Sequence, residues 1–138
     1  MKFYSIKGAN LVNINITKYL IDWDYVVSKP QKKVKDFLFP FWKSKVVLEE
    51  FKLPSPSRSR VDLINLTDRI AIEVSPSGSH SFNPFFHKNR FKFIAAVKRE
   101  EDKMKWLEKN GITLVEVFDE DLENLSKEWF LENYNIYL

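Results

Sequence analysis

Stretches in which apolar and polar residues alternate are separated along this chain by stripes of apolar residues at helical spacing. FYSIKG (3–8) and LVNINIT (11–17) read as the two short strands of an N-terminal hairpin, with Asn10 near its turn. Ser28-Lys-Pro-Gln then opens a helix, with Ser28 or Lys29 near the cap and Pro30 in the first turn. Val34, Phe37, Leu38 and Phe41 keep helical spacing until Pro40 disturbs the end. VVLEEFKLP (46–54), RVDLINL (60–66) and RIAIEVS (69–75) read as three strands, the first two joined by the loop PSPSRS. Asn83-Pro84 is an N-cap and first-turn pair. From Phe86 a stripe through Phe93, Ile94, Val97, Met104 and Leu107 runs to the stop signal Asn110-Gly111, as one helix or two broken near Val97–Arg99. ITLVEVF (112–118) is a further strand, and LENLSKEWFLENY (122–134) a terminal helix.

Helix, three strands, helix and strand in that order predict an α/β domain with a mixed central β-sheet flanked by helices. At 138 residues the chain is long enough for one domain with a real core. Within it, residues 1–27 form an N-terminal extension, 28–121 the α/β core and 122–138 an acidic C-terminal helix.

The strand pattern makes a specific statement about two acids. A two-residue turn at Thr67-Asp68 sets Val61 opposite Val74 and Leu63 opposite Ile72, which gathers one apolar side. The same register sets Asp62 opposite Glu73, with Cβ atoms ~4.5–5.5 Å apart. A slip by one residue would scatter the apolar pairs as well as the acids. Directly opposed like charges call for a shared proton, a basic partner or a cation. Two converging carboxylates suit Mg²⁺, which takes oxygen ligands, keeps several waters and meets substrate phosphates. The alternative at this point is an exposed sheet face on which Arg60 or Lys52 pairs with each acid.

Composition narrows the chemistry. The absence of cysteine excludes disulfides, thiolate zinc sites and cysteine nucleophiles. No apolar run approaches the ~20 residues of a membrane-crossing helix, and MKFYSIKGAN lacks a signal-peptide core, so a cytosolic protein with no membrane partner is expected. The net charge is only +3, yet residues 119–138 carry −5, leaving +8 on the rest. Basic residues cluster at Lys29, Lys32, Lys33, Lys35, Lys43 and Lys45, at Arg58 and Arg60, and again from Lys88 and Arg90 to Lys98 and Arg99. Such clusters suit a polyanion such as DNA, or are simply solvated faces.

Arg60-Val-Asp62-Leu and, after ten residues from the aspartate, Ile72-Glu73-Val74 resemble the strand-turn-strand motif of the PD-(D/E)xK nuclease superfamily. A histidine shortly after the second strand, then a long helix ending in Leu107-Glu-Lys-Asn-Gly111-Ile-Thr-Leu-Val-Glu-Val, looks like the very-short-patch-repair endonucleases and related compact phage nuclease domains. The likeness covers residues 28–121. It implies a restriction-endonuclease-like core and Mg²⁺-dependent hydrolysis of DNA phosphodiesters, with Mn²⁺ as a possible substitute, in the cytoplasm of a bacterial or phage-infected cell. It also implies Asp62 and Glu73 as metal ligands, the Val74 carbonyl completing the set. Gln31 stands near the place of a helix acid that orients the attacking water, with Glu49 or Glu50 as competitors.

The superfamily usually has a lysine two residues after the glutamate, where this chain has Ser75. His80 falls close to the histidine that replaces it in very-short-patch-repair enzymes, and His87 or Lys88 are the other candidates for that role. The loop Ser75-Pro-Ser-Gly-Ser79 is either a plain connection or an approach to phosphate through its N–H groups. Asp102 is expected on a solvated helix face. Lys32, Lys33, Arg58, Arg60, Lys88 and Arg90 would track the DNA backbone. Two copies pairing to cut both strands are consistent with a small nuclease having one site. The rivals are a non-catalytic nucleic-acid-binding module on a decayed nuclease scaffold, and an interaction protein whose acidic tail with Trp129 and Phe130 docks a partner.

Overall fold

The structure, a computed structural model, describes residues 1–8, 10–55, 57–75 and 90–138, with the side chains of 90–93 excepted. Strands β1 (Lys2–Tyr4) and β2 (Leu11–Asn13) pair antiparallel as the expected N-terminal hairpin. Helix α1 (Lys29–Trp42) begins where Ser28, in extended conformation, accepts a hydrogen bond from Gln31 N at 3.2 Å. Pro40 does not end this helix. It falls in the last turn, where its missing N–H removes a single ladder bond, and Lys43 N still bonds Phe39 O at 3.0 Å.

Strands β3 (Val47–Lys52), β4 (Arg60–Asn65) and β5 (Ile70–Ser75) follow, then helix α2 (Arg90–Lys109), strand β6 (Thr113–Phe118) and helix α3 (Lys127–Tyr134). The four strands form one sheet in the order β3-β4-β5-β6, antiparallel except for the parallel β5–β6 pair that α2 connects. The sheet is therefore mixed and the fold α/β.

Pairing of Leu63 with Ile72, Ile64 with Ala71 and Asn65 with Ile70 is the register the apolar pattern requires. The connection is longer than two residues, a turn over 66–69. Extending it symmetrically leaves the register unchanged. Asn65 and Asp68 brace it through 2.9 Å side-chain bonds, and Arg69 takes the left-handed φ of 59° that returns the chain to the sheet.

Both faces of the sheet are covered. Val34, Leu38 and Trp42 of α1 pack with Val47, Leu63, Ile70, Ile72, Val115 and Val117, joined by Phe130 of α3. Trp106 and Leu107 of α2 pack with Leu48, Phe51, Val61, Ile64 and Ala71, joined by Phe3 of the hairpin. Three consecutive buried residues, Ile70-Ala71-Ile72, are the mark of a strand covered on both sides. The residues outside 28–121 thus complete the two cores.

Helix α2 is continuous across Val97–Arg99. It closes as the Asn110-Gly111 signal predicts: Ile112 N bonds Leu107 O, Gly111 N bonds Glu108 O, and Gly111 supplies a φ of 66°. The terminal helix is shorter than expected. Residues Asp119–Asn124 form a 3₁₀ turn, and α3 starts only after Ser126, which accepts from Trp129 N at 3.0 Å. The Asn83-Pro84 pair and Phe86 lie outside the described residues. No described helix is long and apolar enough to cross a membrane.

Candidate active site: a carboxylate pair with a buried lysine

Between the Glu49–Leu63 and Phe51–Val61 pairs of β3 and β4 lies the rung of Glu50 and Asp62. Strict alternation would put Val61 on the same side as Leu63. Instead Val61 and Phe51 join the α2-side core, while Leu63 and Val47 join the α1-side core. The alternation shifts by one residue in both strands at this rung. Glu50 absorbs the shift with a left-handed φ of 52°, a conformation that costs a non-glycine residue about 1–3 kcal/mol.

The β4–β5 ladder stops at Leu63–Ile72, one rung short of the acids. Beyond it, Asp62 Oδ2 accepts from Val74 N at 2.8 Å, so a side chain takes over the next strand's backbone donor. Glu73, buried to 8% exposure, follows Ala71 on the α2 side. There Lys103 Nζ lies 2.9 Å from Glu73 Oε1 and 3.4 Å from Glu100 Oε1. The Lys103–Glu73 contact is a buried ion pair.

Burial, then the neighbouring Asp62 charge, pushes the Glu73 carboxyl up to about 8 against the opposing pull of Lys103. Asp62 is also raised, by burial first and the Glu50 charge second, although its bond from Val74 N and a side-chain interaction with Glu73 pull the other way. Burial alone would lower Lys103, but the charges and contacts of Glu73 and Glu100 outweigh it and raise its pKa. The expected meeting of Asp62 and Glu73 is therefore found. The alternative, in which Arg60 or Lys52 pairs with each of the two acids, is not: Arg60 pairs with Glu50 at 3.4 Å.

Lys103 is the residue that sequence reasoning missed. It stands three positions before Trp106 and four before Leu107, in line with the buried stripe of α2. The predicted stripe gave no sign of it, since Ile94, Val97 and Met104 are exposed and the buried side of α2 carries Asp102, Lys103, Trp106 and Leu107.

Gln31 is placed elsewhere. Its Nε2 donates to Glu49 Oε2 at 3.0 Å, on the α1 face of the sheet. Lys35, fully buried, donates to Glu49 Oε1 at 2.9 Å and to the carbonyls of Asp22 and Tyr25 at 2.7 and 2.8 Å. Lys35 is thus a core residue, not a member of a basic surface cluster. Glu49 is occupied by the same arrangement.

Of the predicted backbone-tracking residues, Lys32 pairs with Asp36 and Lys33 with Glu123. Arg58 is exposed, at a left-handed position in the β3–β4 loop. Asp102 is not solvated: at 3% exposure it accepts from Ser57 Oγ at 2.5 Å and pairs with Lys98 at 3.2 Å. The β3–β4 loop folds across α2 to cover it, and the Ser57 bond is the main cause holding its carboxyl below the usual range, against the opposing effect of burial. His80, His87, Lys88 and the loop after Ser75 lie outside the described residues, as does the side chain of Arg90.

The carboxylates of Asp62 and Glu73 are hard oxygen donors of the kind Mg²⁺ takes, and the Lys103 ammonium stands beside them. The residues present therefore fit a divalent cation such as Mg²⁺ that keeps most of its waters. No group of three or more metal-binding side chains occurs among the described residues. Comparison with protein-family models, with curated proteins and with solved structures finds no match for this chain.

Proposed function

We propose that the chain is a Mg²⁺-dependent DNA endonuclease with a restriction-endonuclease-like core, Asp62 and Glu73 holding the metal. The observation that carries this reading is the convergence of two raised-pKa carboxylates and one buried ammonium on a single face of the sheet. The element order α1-β3-β4-β5-α2-β6 supports it, being the order in which the resembled superfamily builds its site.

Bound at the carboxylates, Mg²⁺ would polarise the phosphodiester and make water a better nucleophile. Lys103 stands in for the lysine that Ser75 displaces. Its raised pKa keeps the ammonium charged, which suits it to steadying negative charge on the phosphate oxygens rather than to taking a proton. Asp62 holds Val74 N and so fixes the strand that presents Glu73.

Cleavage of supercoiled plasmid in Mg²⁺ or Mn²⁺, set beside EDTA and the Glu73→Ala variant, tests the reading. Nicks or linear product that appear only for the wild type with metal are expected. Cleavage that persists in EDTA or in Glu73→Ala overturns the assignment. Linear product without a nicked intermediate would indicate two copies acting together.

One observation favours a second reading, a DNA-binding module without catalysis: Glu73 is already neutralised by Lys103. On that reading binding ignores divalent metals and survives Asp62→Ala.

A further inference from the structure

A cavity of about 800 Å³ lies on the outer side of α2, walled by the β1–β2 turn and the β3–β4 loop. Three lysines stand in its lining, with Ser5, Ser57 and Asp102 as the other polar residues described there. Lys7 and Lys105 are exposed and have no ion-pair partner among the described residues, and Lys98 is exposed beside them. The one acid in the lining among the described residues, Asp102, is held by Ser57 and Lys98. Ile6 and Pro54 supply apolar wall between these groups.

The walls are tied to one another. Lys109 donates to the carbonyls of Ile6 and Gly8 at 2.6 and 2.9 Å, and Asn110 bonds both N and O of Tyr4. Ser59 Oγ bonds Arg99 O at 2.6 Å on the loop side. A cavity fixed in this way needs little ordering when it is filled. The cavity and the carboxylate pair share helix α2: Asp102 bonds the loop wall through Ser57, and Lys103, the next residue, reaches Glu73 on the sheet side.

We propose that this cavity binds a single-stranded stretch of DNA by its phosphates and leads it to the Asp62–Glu73 site, with the N-terminal hairpin as one wall. The proposal rests on the nuclease reading for the direction of the strand, but the binding itself does not require cleavage. Unpaired lysines around a concave surface fit a phosphodiester chain. A cavity of drug-ligand size takes one or two nucleotides, and is too confined for a duplex. The hairpin, which the nuclease likeness does not cover, thereby acquires a role in substrate binding.

The test is anisotropy of a labelled single-stranded oligonucleotide with the full chain in EDTA, across a salt series. Lys7→Ala/Lys105→Ala is expected to lower affinity at least about tenfold and to make the salt slope shallower by about 1.4, two phosphate contacts at ~0.7 each. Lys29→Ala/Lys43→Ala, which removes two exposed charges at the two ends of α1, is expected to change little. An unchanged affinity in the cavity variant, an equal loss in the α1 variant, or displacement of the oligonucleotide by an equimolar mononucleotide would overturn the proposal. Plasmid cleavage is read separately. Cavity-dependent binding without cleavage removes the nuclease reading and leaves the groove, whereas unimpaired cleavage by the cavity variant does the reverse.

Discussion

Lys103 in the middle of α2 sets its ammonium 2.9 Å from Glu73 Oε1 on β5, bridging helix and sheet where Glu73 lies beside acids of the neighbouring strands. Replacing it with methionine keeps the bulk and removes the charge. Plasmid cleavage is expected to fall about 10²–10³-fold, the usual effect of removing one electrostatic donor to developing charge. Oligonucleotide binding in EDTA should stay within a few-fold of wild type. Lys103→Arg, which restores a cation, should recover part of the rate. Full activity in Lys103→Met would remove the lysine from the site.

Asp62 has a structural task beside the chemical one proposed for it, and two substitutions separate them. Asp62→Asn keeps an oxygen for Val74 N, so its urea midpoint should stay close to wild type while cleavage is lost. Asp62→Ala strands that N–H and should cost a further 1–3 kcal/mol, about the penalty for an unmet buried donor. Equal stability of the two variants would show that the bond contributes nothing.

A carboxyl raised to about 8 makes the metal-free fold sensitive to pH. Between the ordinary value of 4.5 and about 8 the folded chain holds a proton on Glu73 that the unfolded chain has released. Stability therefore declines as pH rises through that window, by at most about 1.4 kcal/mol per unit. Asp62, also raised, adds to the decline with the same sign. Lys103 stays protonated throughout, since its raised pKa starts from 10.5. Thermal melts in EDTA should show the midpoint falling from pH 5 to pH 8, and Glu73→Gln should flatten this dependence. Mg²⁺ at pH 8 should raise the wild-type midpoint and leave Glu73→Gln unmoved.

On the opposite face, Lys35 is a matter of stability alone. Lys35→Met leaves Glu49 buried without its cation and two carbonyls without their donor. A loss of about 3–5 kcal/mol in chemical denaturation is expected. Below the lowered melting point, cleavage per folded molecule should match wild type. A selective fall in cleavage would place the Gln31–Lys35–Glu49 group within the catalytic machinery.

The approach of Asp62 to Glu73 was legible because the Leu63–Ile72 pair fixes the register, although Val61, expected on the same side, packs on the other face and the ladder stops before it reaches Val74. Ser28 and Gly111 were equally legible, since each answers a local backbone requirement. Pro40 misled because a proline in a last turn disrupts far less than one in a helix interior. Lys103, Lys35 and Asp102 were hidden for one shared reason. Each is a charged residue whose burial depends on a partner distant in the chain, and composition reads such residues as surface. The shift at Glu50 and Asp62 was hidden too, because apolar residues on both faces make a strand pattern insensitive to a change of side.

Phe3 and Phe130 set the limits of what can be cut away. Phe3 stacks within 5.2 Å of Trp106, and Phe130 lies 5.9 Å from Phe37, both rings buried in opposite cores. The stretch 28–121 is consequently not a portable cassette. Excised, it would have an empty aromatic socket on each face, at a cost of about 3–5 kcal/mol apiece. Fusions and minimal expression versions should keep both ends, and a 28–121 fragment is expected to be recovered as aggregate.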